Sequence, residues 1–122
     1  MDATRDLNAV SHPQQEHYRQ VLIALLQRLL HPSSDPMIQT IPIIDTLHDH
    51  YQLLDLGWSA EGQRVFLLII HIDLIDGKVW IQENRTDVDL AHLLLQAGIE
   101  QQDIVLGLHP PTLRCFGEYA IG

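Results

Sequence analysis

The chain has 122 residues, of which 46% are apolar and 19% are charged, and this composition excludes a disordered or fibrous protein. No apolar run approaches the ~18 residues of a membrane span, and the first residues lack the basic and apolar regions of a signal peptide, so we expect a cytoplasmic protein. Residues 1–11 are polar and aperiodic, which predicts a mobile tail before a single domain over residues 12–122. The single cysteine, Cys115, excludes an internal disulfide and a cysteine-based zinc site, and its apolar and aromatic neighbours predict a buried, inert thiol.

The charge of the chain is strongly acidic. Sixteen acidic residues against seven basic residues give a net charge of −9. Proteins that bind DNA or RNA gain most of their affinity from lysine and arginine side chains that neutralise phosphates. The basic residues here are scattered and form no stripe, so the charge argues against direct nucleic-acid binding. An acidic surface suits a basic protein partner.

A long amphipathic helix is the first predicted element. We expect it over residues 13–31, with Ser11 or His12 as the cap, Pro13 in the first turn and Pro32 as the stop. Its apolar residues recur at helical spacing and are Tyr18, Val21, Leu22, Leu25, Leu26, Leu29 and Leu30. Such a face is suited to packing on a sheet of the same chain.

Four strands joined by short turns follow, and they predict an antiparallel meander, because parallel neighbours would need long crossovers. The first strand, over residues 37–47, contains Pro42, which lacks a backbone donor and therefore favours a sheet edge. A turn near His48 and Asp49 leads to the second strand, over residues 50–58. We expect Asp49 to bond to its own backbone in this turn, which leaves the flanking histidines exposed.

The third and fourth strands form a hairpin around Asp76-Gly77, at the centre of the predicted sheet. This dipeptide is the strongest short-range hairpin signal, because the two-residue turn needs positive φ at both positions. The turn predicts five facing pairs: Ile75 with Lys78, Leu74 with Val79, Asp73 with Trp80, Ile72 with Ile81, and His71 with Gln82. Side chains alternate between faces, so one face is a core face of Ile70, Ile72, Leu74, Val79 and Ile81. The opposite face, which we call the polar face, carries His71, Asp73, Lys78, Trp80 and Gln82.

Further from the turn, the third strand is apolar on both sides. Strict alternation places Val65, Leu67 and Ile69 on the same side as the polar face. A strand with apolar side chains on both sides is expected to be buried on both sides. We therefore expect a helix of this chain or another subunit to cover this part of the sheet.

A second helix is predicted after the sheet. Thr86 and Asp89 resemble a capping box with Asp in place of Glu, and Gly98 suits the C-terminal stop. Residues 117–121 predict a short last strand. The predicted fold class is α+β: a long N-terminal helix packed on a four-stranded antiparallel meander, a second helix after the sheet and a short C-terminal strand.

Several segments of the chain form a recognisable set. They are His17-Tyr18-Arg19, Asp49-His50-Tyr51-Gln52-Leu53 with Gly57-Trp58, the stretch from His71 through Gln82, Ala97-Gly98-Ile99, the stretch from Asp103 through Pro111, and Arg114. This set resembles the XisI family, the excision controlling factors of the fdxN element. The resemblance covers residues 14–122, residues 1–11 look like an extension, and residues 82–85 and 117–119 fit more loosely.

The resemblance implies a small α+β protein with an antiparallel sheet and a role in the control of programmed DNA excision. It also implies a XisH-like partner, encoded nearby, whose own family looks related to nucleases. Neither catalytic residues nor a cofactor come with the resemblance. We therefore expect a non-enzymatic interaction protein without a cofactor, which forms a homo-oligomer through the apolar part of its sheet.

We expect the partner to contact the polar face and the stiff loop that follows the last apolar run. The predicted contact residues are His71, Asp73, Trp80 and Gln82, together with His109, Pro110 and Pro111. Tryptophan is enriched at interface hot spots, and consecutive prolines stiffen a loop. Core packing of Trp58 and Trp80, and plain chain reversal at the prolines, are the competing interpretations.

A small metal- or ligand-dependent enzyme that uses the face of His71, Asp73 and His109 is the alternative function. Imidazole and carboxylate groups suit zinc or iron, provided that His109 or His50 packs against the other two residues. The spacing by itself favours ordinary hydrogen bonds between His71, Asp73 and their neighbours. No metal site and no catalytic residue is therefore assigned from the sequence.

Overall fold

The fold is known from a computed structural model that describes residues 13–30 and 35–122. Its elements are α1 Pro13–Leu29, β1 Ile38–Asp45, β2 His50–Trp58, β3 Arg64–Ile75, β4 Lys78–Asn84, α2 Leu90–Gln96, a 3-10 turn Gln101–Asp103, β5 Ile104–Val105 and α3 Pro111–Arg114. The predicted α+β class is confirmed. Within these described ranges, no helix is long and apolar enough to cross a membrane.

Helix α1 begins at Pro13, whose fixed φ and missing donor suit a first helical turn. It ends at Leu29, two residues before the predicted end. Its buried face consists of Tyr18, Arg19, Leu22, Leu25 and Leu26. The expected caps, stop and tail (Ser11, His12, Pro32 and residues 1–11) lie outside the described residues.

The sheet has the strand order β1-β2-β3-β4-β5. The first four strands form the predicted antiparallel meander, and Pro42 lies in the edge strand β1, as expected. Strand β5 was not predicted as part of the sheet; it runs parallel to β4 and is reached through α2. The segment predicted as the last strand, residues 117–121, contributes a single bridge between Val105 and Ala120.

The central hairpin has the predicted turn, with φ of 50° at Asp76 and 78° at Gly77. The four predicted pairs nearest the turn are confirmed. A β-bulge then changes the register, so that His71 faces Glu83 and not the predicted Gln82. Gln82 is the extra residue of this bulge, which a pattern of strict alternation does not reveal.

A second bulge lies in β3 at Ile69, where the pairing with β2 shifts by one residue. An extra residue exchanges the two sides of the strand beyond it. Leu68 and Phe66 therefore continue the side of the polar face, whereas Val65 and Leu67 turn to the opposite side. The prediction that Val65, Leu67 and Ile69 extend the polar face is wrong, because it assumed an unbroken alternation.

Helix α2 begins directly after Asp89, whose side chain accepts a hydrogen bond from the backbone N–H of His92 at 3.1 Å. The predicted capping box is wrong, because Thr86 lies in the preceding turn, where its Oγ1 accepts from the N–H of Val88 at 3.1 Å. Gly98 follows the helix with φ of +98° and is the predicted stop.

The core lies between the helices and one side of the sheet. All five residues of the predicted core face are buried, which confirms it. The largest fully buried side chains are Tyr18, Tyr51, Leu22, Leu26, Leu53, Ile70, Ile72, Leu90, Leu94, Ile99, Ile104 and Val79. Residues from α1, β2, β3, β4, α2 and β5 therefore pack together in one core.

The C-terminal segment, residues 106–122, lies beside β4. The N–H of Leu108 donates to the carbonyl oxygen of Ile81 at 3.0 Å. The prediction of a buried Cys115 is wrong: the thiol is exposed and donates to the carbonyl oxygen of Thr112 at 3.2 Å. Its apolar neighbour Phe116 is itself 86% exposed, so an apolar sequence around this cysteine does not place it in the core.

Candidate functional site

Strands β2 and β3 bring His50, His71 and Asp73 together on the polar face. Asp73 is paired directly with His50 across the two strands, and His71 lies two residues away on the same side of β3. His50 Nδ1 and His71 Nε2 each lie 2.7 Å from the same oxygen, Asp73 Oδ1. The three side chains form one hydrogen-bonded group, which we call the His–Asp cluster.

Two glutamines form hydrogen bonds with this cluster. Gln52 Nε2 lies 2.7 Å from His71 Nδ1, and Gln82 Nε2 donates to Asp73 Oδ2 at 3.3 Å. The side chain of His50 is 52% exposed, whereas those of His71 and Asp73 are mostly covered. The cluster is therefore fixed on the side of the glutamines and open to solvent on the side of His50.

The cluster favours negative charge on Asp73 and positive charge beside it. The hydrogen bond with Asp73 raises the pKa of His50 above its ordinary value. Burial alone would raise the pKa of Asp73, but the hydrogen bonds with His50 and His71 outweigh burial, and the pKa of Asp73 lies below its ordinary value. Asp73 is thus an anion near neutral pH, and the cluster attracts cations and hydrogen-bond donors.

Trp80 lies next to the cluster and is half-buried under the C-terminal segment. The Arg114 guanidinium lies 5.2 Å from the Trp80 ring, and its Nη1 donates to the carbonyl oxygen of His109 at 2.8 Å. A Cβ at Gly107 would collide with Gln82 Oε1, so the absence of a side chain allows this close approach. Arg114 therefore connects Trp80 to the loop that contains His109.

The predicted contact residues fall into two groups. His71, Asp73 and Gln82 are joined by hydrogen bonds, and Trp80 is paired with Asp73 across β3 and β4. His109 and Pro110 lie in an exposed loop, and Pro111, which is also exposed, begins α3. The loop is connected to the first group through Arg114. The alternative set of His71, Asp73 and His109 is corrected, because the third member of the cluster is His50.

A second polar group, at the start of β2, was not predicted from the sequence. Asp49 is buried and accepts hydrogen bonds from Arg19 Nε at 2.8 Å, Arg19 Nη2 at 3.1 Å and the Tyr51 hydroxyl at 2.7 Å. The expectation that the Asp49 side chain bonds to its own backbone is therefore wrong, because its partners are the side chains of Arg19 and Tyr51. The segments of Arg19 and Asp49 both belong to the set that resembles the XisI family, and this was the available signal.

The charges of this second group are fixed by their contacts. The hydrogen bonds with Asp49 raise the pKa of Arg19, while burial, and then the hydrogen bond with Asp49, raise the pKa of Tyr51. Arg19 is therefore charged and Tyr51 neutral at any physiological pH. We interpret this buried ion pair as a structural connection between α1 and the turn before β2, and not as part of the site.

Comparisons with known proteins place these features in a family. The family described as XisI protein matches residues 13–121. The chain is 33% identical to the crystal structure of fdxN element excision controlling factor XisI from Anabaena variabilis ATCC 29413, with a TM-score of 0.77 over 89% of this chain and 99% of that chain. A XisI-like protein from the same organism is 34% identical, with a TM-score of 0.74 over 88% and 95% of the two chains. None of the curated proteins compared matches the chain.

Proposed function

Because the chain belongs to the XisI family, we propose that it is a controlling factor in programmed DNA excision that acts by binding another protein and not by catalysis. The observation that carries this proposal is the similarity to an excision controlling factor along 99% of that protein's length. The net charge of −9 supports a protein partner over direct DNA binding.

The contact surface in this proposal is the polar face together with the adjoining C-terminal segment. The segment exposes Leu113 and Phe116 beside the Arg114–Trp80 contact. Large exposed apolar side chains next to a half-buried tryptophan are typical of interaction surfaces. Asp73 adds a fixed negative charge, which is suited to an arginine or lysine of the partner.

The partner in this proposal is the XisH-like, nuclease-related protein that the family resemblance implies. A protein that handles DNA carries basic residues, and an acidic controlling factor of net charge −9 would attract it over a distance. Occupation of the basic surface would also compete with DNA. Binding and inhibition of the partner are then two consequences of the same contact.

The first test is co-purification of this chain, untagged, with a tagged XisH-like protein encoded next to it. We expect a stable complex, and we expect Asp73→Lys and Trp80→Ala each to weaken binding at least tenfold, which is about 1.4 kcal/mol. The affinity would be measured by titration calorimetry, and the fold of each variant by circular dichroism.

Two matched variants control this test. Asp87→Lys makes the same change of charge at an exposed residue of the loop before α2, and Trp58→Ala removes a tryptophan at the far end of β2. Both should leave the affinity unchanged. Equal losses in all four variants, or unchanged affinity in Asp73→Lys and Trp80→Ala, would contradict the proposed surface.

We also propose self-association through the apolar end of the sheet, defined as Trp58, Phe66 and Leu68, which lie on the same side. Phe66 is 70% exposed, and Trp58 is 47% exposed with the Arg64 guanidinium 5.2 Å from its ring. An apolar group of this kind at the end of two long strands favours a second copy of the chain as its cover.

The variant Phe66→Asp should weaken dimers at least tenfold in sedimentation equilibrium, because it buries a charge in the interface. Phe116→Asp, at the more exposed phenylalanine of the C-terminal segment, is the matched control and should leave the oligomeric state unchanged. A wild-type chain that stays monomeric at all concentrations would refute self-association.

A further inference from the structure

We propose that the His–Asp cluster binds one Zn²⁺ ion through His50, His71 and Asp73. The site shares His71 and Asp73 with the proposed partner surface, but its test measures metal binding to the chain alone and does not require a partner. Each residue offers one ligand atom, and the three atoms all lie within 4.8 Å of one another. Two imidazoles and one carboxylate are a donor set that zinc commonly takes from proteins. Among residues 13–30 and 35–122, this is the one group of three such side chains that converge.

The ligand atoms of the cluster would have to move only a short distance to bind the ion. Tetrahedral coordination with bonds of about 2.0–2.1 Å puts neighbouring ligand atoms roughly 3.3 Å apart. The two nitrogen–oxygen distances are now 2.7 Å, because the imidazoles are hydrogen-bonded to Asp73 Oδ1. Binding would lengthen each nitrogen–oxygen distance by about 0.6 Å and would bring the two nitrogens, which now lie within 4.8 Å of each other, to a similar separation. Side-chain rotations can supply these movements while the backbone of β2 and β3 stays paired.

The strands already hold the ligands in place. His50 and Asp73 are a directly facing pair, and His71 is on the same side of the same strand as Asp73. Ligands on strands are positioned more accurately than ligands on loops, and less conformational entropy is lost when the ion binds. The His50 and His71 rings are tilted by 51° with centroids 6.0 Å apart, so they do not stack against each other.

Gln52 and Gln82 supply the outer contacts that metal ligands need. A histidine that binds zinc through Nε2 usually donates its Nδ1 proton to a fixed acceptor. Gln52 lies 2.7 Å from His71 Nδ1, and a half-turn of its amide presents Oε1 as that acceptor. Gln82 donates to Asp73 Oδ2, which leaves Oδ1 for the ion.

The site would keep one open position. The His50 side chain is 52% exposed, so a water molecule or a side chain of another protein can reach the ion from that side. Three protein ligands with an open fourth position distinguish this site from a closed structural zinc site. The position can bind a carboxylate, a phosphate oxygen or a histidine of a partner.

The test uses the full-length chain without a histidine tag, freed of metal with a chelator. Zn²⁺ is added in competition with a chromogenic chelator, and the ions bound per chain are counted by elemental analysis after gel filtration. We expect one Zn²⁺ per wild-type chain, and we expect the variants His50→Ala, His71→Ala and Asp73→Asn each to raise the Kd at least tenfold.

The controls come from another histidine–aspartate pair on the surface. His48 Nδ1 lies 2.9 Å from Asp45 Oδ2, and no third ligand from the part of the chain that the structure describes converges on this pair. His48→Ala and His109→Ala should therefore bind Zn²⁺ as the wild type does. Asp73→Asn keeps the size of the side chain, and its thermal unfolding without metal checks that it is folded. Zn²⁺ should raise the unfolding temperature of the wild type but not that of Asp73→Asn.

Three results would overturn the proposal. One is the absence of saturable binding at one ion per chain. Another is an affinity that His48→Ala or His109→Ala lowers as much as the cluster variants do, since this would indicate weak binding spread over surface histidines. The third is folded cluster variants that bind Zn²⁺ as tightly as the wild type.

Discussion

Replacing Asp49 with asparagine should lower the free energy of unfolding by up to about 3–5 kcal/mol. It leaves the buried Arg19 with only Glu16, a 57% exposed side chain 3.2 Å from its Nη1, as a counter-charge. Asparagine has nearly the same size and tolerates the φ of +62° that Asp49 adopts, so the backbone can keep its conformation. The effect therefore reports on the charge and its hydrogen bonds. Urea denaturation followed by circular dichroism measures it.

Asp87→Asn removes the same charge from an exposed position and should change the free energy of unfolding by less than about 0.5 kcal/mol. The double variant Arg19→Met with Asp49→Asn removes both charges and should recover at least half of the loss. If Asp49→Asn costs no more than Asp87→Asn, the buried pair does not contribute to stability.

Replacing Gly57 with alanine should also destabilise the fold strongly, by about 3 kcal/mol or more. An added Cβ would collide with the carbonyl oxygen of Met37 and lie 2.8 Å from Ile38 Cα, which are backbone atoms and cannot rotate away. The same carbonyl accepts the N–H of Trp58 at 3.1 Å, so separation of β1 from β2 at this end also breaks a hydrogen bond.

Gly62→Ala is the matched control for this variant. Gly62 has φ of +80°, and an added Cβ there would meet nothing within 4 Å. Its expected cost is the backbone strain alone, about 1–2 kcal/mol. The difference between the two alanine variants, measured by thermal or urea unfolding, reports mainly the collision, since both glycines have a positive φ that strains an alanine. Equal losses would mean that β1 moves away from Gly57 without cost.

The elements that could be predicted are those with a local signal. Helical spacing from Tyr18 onward predicted α1, and Asp76-Gly77 predicted both the hairpin and its four nearest pairs. The two bulges have no such signal, because Ile69 and Gln82 look like ordinary strand residues. Strand β5 has only two residues, and its parallel partner precedes α2, so only the assembled core defines it.

The candidate site, like the fold, could be predicted only where a local pattern in the sequence reports it. Alternation along one strand placed His71 and Asp73 on a common face. The contribution of His50 depends on the register between β2 and β3, which the turn at residues 59–62 does not specify by its sequence. The Arg19–Asp49 pair joins residues 30 positions apart, and no local pattern reports a contact over that separation.

The bulge at Ile69 has a consequence for insertions and deletions in β3. Strict alternation resumes if Ile69 is deleted, because Leu68 and Ile70 already point to opposite sides of the sheet. In a strand without such a bulge, loss of a single residue would instead turn one half of the strand over and exchange its surfaces. A relative one residue shorter at this point can therefore preserve both the His–Asp cluster and the apolar end, and a gap there is compatible with the same architecture.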